Sequence, residues 1–311
     1  MRPVYITNER INKKSHLTLD INDPIRNIGG PLKKKPETAS IVFTAGRGSR
    51  MKAFDGNKTL LPLVPEKSDF EGRDPILLNI LENLPPGPKA LVVNHRKEEV
   101  IGATRGYGPA YFEQSVLNGT GGALMAAREF IDSPDHDLLI ITMGDSPMVR
   151  ATTYLSLIKV LEDCSMMVLG FSPEDKKQYG LLETEGSRVT RIIEWKYWST
   201  FSKERQSQLT ICNSGIYAVR KKDLLKYVRR LETNPHRVLK ERNGKKAEVK
   251  EFFITDLVEL MHRGGLEIGY VVAENEHEVM GVDDLPSLKK AQALFREAIL
   301  DKKNPLIIQP S

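Results

Sequence analysis

The chain has 311 residues, 40% hydrophobic and 28% charged, enough apolar material for one large α/β domain or two smaller ones. No apolar run approaches the roughly 20 residues of a membrane span, and no membrane span is expected. The formal net charge is +5, and residues 1–40 hold eight Lys/Arg against four Asp/Glu, which leaves the rest close to neutral; a nucleic-acid-binding face across the body is not expected.

Two cysteines, Cys164 and Cys212, are too few for a disulfide framework or a metal cluster and read as core or near-core thiols. The N-terminus lacks the apolar stretch of a secretory signal, so the expected location is cytoplasmic. Residues 1–39 show no sustained period and carry Asn22-Asp23-Pro24, Gly29-Gly30-Pro31 and Lys33-Lys34-Lys35-Pro36. They read as a basic, loosely ordered arm with one short strand around Val4-Tyr5-Ile6.

From Ser40 the pattern becomes regular. Ile41-Val42-Phe43 reads as a buried strand that stops at Ala45-Gly46, followed by Arg47-Gly48-Ser49-Arg50-Met51 and then Lys58 before Leu60-Leu61-Pro62-Leu63. A strand, a glycine loop and two cations suit a triphosphate: backbone N–H groups approach the oxygens and Arg50 and Lys58 offset their charge. Ala90–Val93, Leu138–Met143 and Met166–Phe171 are further apolar runs, separated by amphipathic stretches such as Thr153–Leu161. Buried strands alternating with helices predict a mostly parallel, doubly wound sheet with its ligand beyond the carboxyl ends of the strands.

Two strand-end segments then matter. Gln114 precedes Gly119-Thr120-Gly121-Gly122, which opens a helix; its amides could meet a base edge or a phosphate, and Gln114 carries both a donor and an acceptor. The 138–143 strand ends in Gly144-Asp145-Ser146-Pro147. A carboxylate there can hold Mg²⁺, which keeps few protein carboxylates and completes its shell with phosphates and water. Taken alone, Asp145 favours the reading as a turn residue bonded to its own backbone.

Past Phe171 the pattern changes to antiparallel strands: Tyr179–Glu183 and Val189–Glu194 around Glu185-Gly186-Ser187, then Ile211–Val219. This half reads as a smaller mixed sheet across the cleft, whose Glu, Asn and glycine groups suit a sugar. Residues 233–250 read as a loop or partly helical excursion, Phe253–Asp256 leads into a helix, Glu278–Asp284 closes the body as an acidic strand end, and Leu285–Ala298 marks a final amphipathic helix.

Taken together, these motifs resemble the sugar-phosphate nucleotidyltransferases, and among them the pyrophosphorylase (uridyltransferase) type acting on N-acetylglucosamine-1-phosphate. The family's Gly-x-Arg-Met loop and following lysine match Ala45–Met51 and Lys58. Its Gln and Gly-Thr-Gly match Gln114 and Gly119–Gly121, and its Gly-Asp metal site matches Gly144-Asp145. Its sugar motifs match Tyr179-Gly180, Glu194-Trp195-Lys196, Asn213-Ser214-Gly215 and Thr255-Asp256, and its closing metal segment matches Glu278–Asp283, with Asp283 where an Asn is usual. Arg47 stands where a lysine is common.

The resemblance spans about residues 40–300 and implies a Rossmann-like α/β fold with a smaller mixed sugar-binding subdomain: a nucleotide half at 40–171, a sugar half at 172–282 and a C-terminal helix at 284–303. It implies a nucleoside triphosphate, UTP, on Ala45, Gly46, Gly48, Ser49, Gln114, Gly119 and Thr120, and a sugar-1-phosphate against Gly180, Glu194, Lys196, Asn213 and Thr255. Arg50 and Lys58 are then the catalytic cations, and Asp145 and Asp283 the ligands of Mg²⁺. Glucose-1-phosphate or another phosphorylated acceptor, and a non-catalytic nucleotide-sugar-binding protein, are the alternatives. Residue pattern leaves the oligomeric state open.

Overall fold

The computed structural model describes residues 4–5 and 37–303, apart from 49, 52–53, 162 and 243–244. Most of the expected arm and Ser49 therefore lie outside the described residues. Val4–Tyr5 (β1) is described, and Thr38 and Ala39, assigned above to the arm, instead open β2 (Thr38–Phe43).

The remaining strands are β3 (Pro62–Ser68), β4 (Glu71–Pro75), β5 (Lys89–Val93), β6 (Ala110–Glu113), β7 (Leu138–Met143), β8 (Met166–Phe171), β9 (Leu181–Glu185), β10 (Arg188–Ile193), β11 (Cys212–Arg220), β12 (His236–Arg242), β13 (Lys245–Glu251) and β14 (Ile268–Ala273). Among the described residues, ten of them form one sheet, and β3–β4 and β12–β13 form separate pairs.

The parallel block is β6-β5-β2-β7. Successive residues of its strands point to opposite faces, and both faces are covered: Val42, Leu91 and Ile140 enter one apolar cluster, Ile41, Val92 and Ile141 the other. That two-sided burial is why these strands read as continuous apolar runs.

Nine-residue β11 joins the two halves. Its residues Tyr217–Arg220 pair antiparallel with β7 and its residues Ile216–Val219 with β8, while Cys212 at its start pairs with Leu181 of β9. β8 then runs parallel to β14, and β14 leads on to β10. The mixed half is thus continuous with the parallel block, and β8 lies beyond antiparallel β11.

Two expectations are corrected. Within residues 233–250 the described segments from His236 to Arg242 and from Lys245 onward are strands rather than loop or helix: β12 and β13 pair antiparallel from His236↔Glu251 to Arg242↔Lys245. The Asn243-Gly244 dipeptide between them is a strong hairpin signal, which the surrounding charge masked. Glu278–Asp284 is no strand end either. A 3₁₀ turn at Glu276–Glu278 leads into an irregular segment fastened to the end of β7 by Val282 N–H donating to the Asp145 carbonyl at 2.8 Å. Asp284 then accepts from Ser287 N–H at 2.9 Å and starts the helix Leu285–Lys303.

Candidate active site

Asn57, fully buried, sets the site's central cation. Its amide donates to the Thr44 carbonyl (3.2 Å) and the His95 carbonyl (2.8 Å) and accepts from Thr59 N–H (3.0 Å) and the Thr59 hydroxyl (2.8 Å). It thereby caps the 3₁₀ turn Lys58–Leu60 and ties it to the ends of β2 and β5. Lys58 leaves that turn with its stem across Gly48, whose backbone has φ +61° and where a Cβ would lie 3.3 Å from the lysine Cβ and Cδ.

The Lys58 ammonium reaches Asp145 Oδ2 at 2.5 Å and Asp283 Oδ1 at 2.8 Å. Arg50 donates to Asp283 Oδ2 at 3.3 Å and to Gln178 Oε1 at 2.7 Å. The two cations and two carboxylates, separated by up to 233 positions in sequence, therefore form one cluster. Burial by itself would lower the Lys58 pKa, but the carboxylates of Asp145 and Asp283 outweigh it and hold the ammonium well above its ordinary value.

Two clefts meet at this cluster. One, of about 930 Å³, is lined by Ala45, Gly46, Arg47, Lys58, Gln114, Gly119, Thr120 and Asp145. The other, of about 960 Å³, is lined by Arg50, Gln178, Tyr179, Glu194, Trp195, Lys196, Phe253 and Asp283. Glu251, at the end of β13, lines both.

The nucleotide-side set thus shares one wall, except Gly48, which lies under Lys58, and Ser49, which is outside the described residues. One expectation about this wall changes. Of the amides expected to face outward from Gly119–Gly122, Gly121 N–H is committed to the Phe252 carbonyl at 2.8 Å, and the Thr120 hydroxyl accepts from Ile254 N–H at 3.0 Å. Gly119, at φ +95°, permits this approach: a Cβ there would lie 2.4 Å from the Phe252 oxygen.

On the acceptor side, Glu194 and Lys196 are on the cleft wall, whereas Gly180, Asn213 and Thr255 are one layer behind it. The Thr255 hydroxyl donates to Glu194 Oε1 at 2.7 Å. Burial pushes the Glu194 carboxyl above the ordinary carboxylate range, against that hydrogen bond. The Gly180 carbonyl accepts from Asn213 N–H at 2.8 Å, and Asn213 donates to the Tyr217 hydroxyl at 2.9 Å. The Lys196 ammonium sits over the rings of Tyr197 (4.8 Å) and Phe253 (4.6 Å), contacts that favour a cation at that point.

Asn57, Gln178, Glu251 and Phe253 are site residues that sequence reading missed. Asn57 alone left a signal, as an Asn before a short helical turn; the others reach the site through tertiary folding.

Asp145 and Asp283 suit a hard dication, since two carboxylates share one ammonium. Among the described residues no group of three or more His, Cys, Asp or Glu converges. A metal here would take two protein carboxylates and fill the rest of its shell from phosphates and water, as Mg²⁺ does.

The sheet and its paired clefts at the strand ends define a Rossmann-like nucleotidyltransferase domain. The chain belongs to the MobA-like NTP transferase domain family, whose pattern matches residues 40–243. It is 30% identical over 264 residues to the bifunctional protein GlmU of Sphingopyxis alaskensis, covering 83% of this chain and 52% of that protein. The chain spans about half the length of the curated relatives it matches.

Its fold is similar to the uridine diphosphate N-acetylglucosamine pyrophosphorylase of Trypanosoma brucei, with a TM-score of 0.66 at 10% identity over 88% of this chain and 68% of that one. It is also similar to a structure described as a glucose-1-phosphate thymidylyltransferase of Bacillus anthracis, with a TM-score of 0.59 at 18% identity over 84% and 96%. No described helix is long and apolar enough to cross a membrane.

Proposed function

We propose that the chain condenses a nucleoside triphosphate with a sugar-1-phosphate, giving a nucleotide sugar and pyrophosphate, and that its substrates are UTP and N-acetylglucosamine-1-phosphate. The observation that carries this reading is the ion cluster of Arg50, Lys58, Asp145 and Asp283 at the junction of the two clefts. One cleft takes the triphosphate and the other the acceptor, so the α-phosphorus and the sugar phosphate meet where the charges are.

The reaction needs no protein nucleophile, because the attacking phosphate oxygen is already ionised. That oxygen forms a new bond to the α-phosphorus while the bond from the α-phosphorus to its bridging oxygen breaks, and pyrophosphate leaves with the electron pair. The protein's work is positioning and charge neutralisation. The loop at Ala45–Gly48 holds the phosphates. Lys58 and Arg50 exchange their carboxylate partners for phosphate oxygens and offset charge on the α-phosphate and the leaving group.

Asp145 and Asp283 would hold Mg²⁺, which when bound would supply further neutralisation of the phosphate oxygens. Glu194, braced by Thr255, offers a sugar hydroxyl an acceptor, and Trp195 and Phe253 offer apolar faces to the ring.

Pyrophosphate release with UTP, Mg²⁺ and either N-acetylglucosamine-1-phosphate or glucose-1-phosphate tests the reading. Release with the amino sugar phosphate and far less with glucose-1-phosphate is expected. Release only with glucose-1-phosphate would move the acceptor assignment. Nucleotide binding without release, for any nucleoside triphosphate and any phosphorylated acceptor of a wider panel, would refute the catalytic reading in favour of a nucleotide-sugar-binding protein.

A further inference from the structure

Among the described residues the β12–β13 hairpin pairs with no other strand. His236 opens it, opposite Glu251. The His236 Nε2 donates to Asp256 Oδ2 at 2.8 Å, since a carboxylate accepts, and Nδ1 bonds to the Tyr197 hydroxyl at 3.0 Å. The imidazole also packs on the Phe253 ring, with centroids 4.9 Å apart at 57°. One side chain from the hairpin root thereby joins the short helix Trp195–Trp198, Phe253 and the start of the helix Asp256–Arg263.

The two aromatic rings that His236 touches are the two that hold Lys196. The ammonium lies 4.8 Å from the Tyr197 centroid and 4.6 Å from the Phe253 centroid, and among the described residues it makes no ion pair and no hydrogen bond. Its N–H groups are left for a ligand of the cleft it lines. Tyr197 is 44% exposed, and its hydroxyl has His236 as its one partner among the described residues. Without that bond a half-exposed ring gains other rotamers, and the cation resting on it loses its seat.

We propose that His236 is a positioning residue for the acceptor: by fixing the Tyr197 and Phe253 rings, it presents the Lys196 ammonium to the acceptor's phosphate. The hairpin then serves the cleft by carrying this imidazole to it. The inference deepens the reading of that cleft as the acceptor site under Proposed function and rests on it.

Lys196 can still reach the phosphate without His236, but it must then be ordered as the acceptor binds. Immobilising one long side chain weakens binding about 3- to 10-fold. Losing its charge-assisted bond altogether weakens binding about 10- to 100-fold. Both effects fall on the acceptor, since neither His236 nor Lys196 lines the nucleotide cleft.

The test is steady-state pyrophosphate release by the full chain with UTP and Mg²⁺, varying N-acetylglucosamine-1-phosphate in one arm and glucose-1-phosphate in another. The proteins are the parent, His236→Ala, Tyr197→Phe, Lys196→Met and the two double variants that add Lys196→Met, with melting temperature recorded for each. His236→Ala, and Tyr197→Phe, which keeps the ring and removes only the hydroxyl, are each expected to raise the acceptor KM about 3- to 10-fold. Their kcat and UTP KM should stay within about twofold of the parent, as neither residue touches the reacting groups. Lys196→Met should raise the acceptor KM about 10- to 100-fold. Adding either other change to it should then matter less than about twofold, because the imidazole acts only through the lysine.

Effects of equal size with and without Lys196, or a matching rise in the UTP KM, mark a general loosening of the cleft and overturn the assignment. A parent-like acceptor KM in either single variant of the His236–Tyr197 bond overturns it too. Should His236→Ala fail to fold, Tyr197→Phe and its double variant make the same comparison. A folded parent that turns over neither acceptor overturns the acceptor reading itself, and the inference with it.

Discussion

Replacing Lys58 with methionine keeps most of the stem's volume and removes its charge. The ammonium lies 2.5 Å from Asp145 and 2.8 Å from Asp283 in a side chain that is 12% exposed. Breaking a buried ion pair by removing one partner costs about 3–5 kcal/mol. Asp283 is 47% exposed, so water screens its share. The expected loss is therefore roughly 1–3 kcal/mol, a fall of about 2–6 °C in melting temperature for a chain of this size.

The same change leaves two carboxylates facing one gap with Arg50 as the remaining cation. Millimolar Mn²⁺ or Mg²⁺ should then stabilise nucleotide-free Lys58→Met by several degrees and the parent by much less, because in the parent the lysine already fills the position between the carboxylates. Thermal unfolding with and without the metal reads both effects, and pyrophosphate release should fall by at least about 10²-fold. A variant that melts with the parent, responds to metal as the parent does and turns over at the parent's rate would refute the cluster as the reaction centre.

Arg50 separates chemistry from stability. Its side chain is 59% exposed, so Arg50→Ala should melt within about 1 °C of the parent, surface changes being worth about 0.5 kcal/mol or less, yet lose about 10²-fold in pyrophosphate release. Glu278 is the converse. It is 7% exposed and accepts from Arg150 N–H, the Arg150 guanidinium and the Thr153 hydroxyl, holding the start of the helix Ala151–Val160. Glu278→Ala should cost about 2–4 kcal/mol in urea unfolding, and a loss under about 0.5 kcal/mol would show that its contacts carry little.

His136 should make stability fall in mild acid. It is 1% exposed, neither ring nitrogen has a hydrogen-bond partner among the described residues, and burial followed by Lys221 depresses its pKa. A base depressed on folding contributes stability that is present above its unfolded value of about 6.5 and is lost as the pH falls from there toward its folded value. The melting temperature should drop between pH 7.5 and pH 5.5, and His136→Phe should flatten that drop. An unchanged slope in the variant would assign the acid sensitivity elsewhere.

The residues themselves settled what depends on local pattern. The apolar runs of β2, β5, β7 and β8 announced strands covered on both faces, because such burial leaves no polar alternation. The glycine loop, Lys58, Asp145 and the Glu194-x-Lys196 segment were legible as motifs, since each is a short stretch with its own chemistry. Where a charged surface overlay the pattern, as in β12 and β13, the period was obscured and the hairpin was missed.

Folding alone decided which distant residues share a site. Asp283 meets Lys58 because Val282 bonds to the Asp145 backbone. Glu251 and Phe253 reach the clefts because the β12–β13 hairpin returns there. β11 joins both halves into one sheet through pairings on both its edges. A sequence records the order of side chains along one line, whereas these contacts depend on register and close approach across the fold, and those are set only when the whole sheet closes.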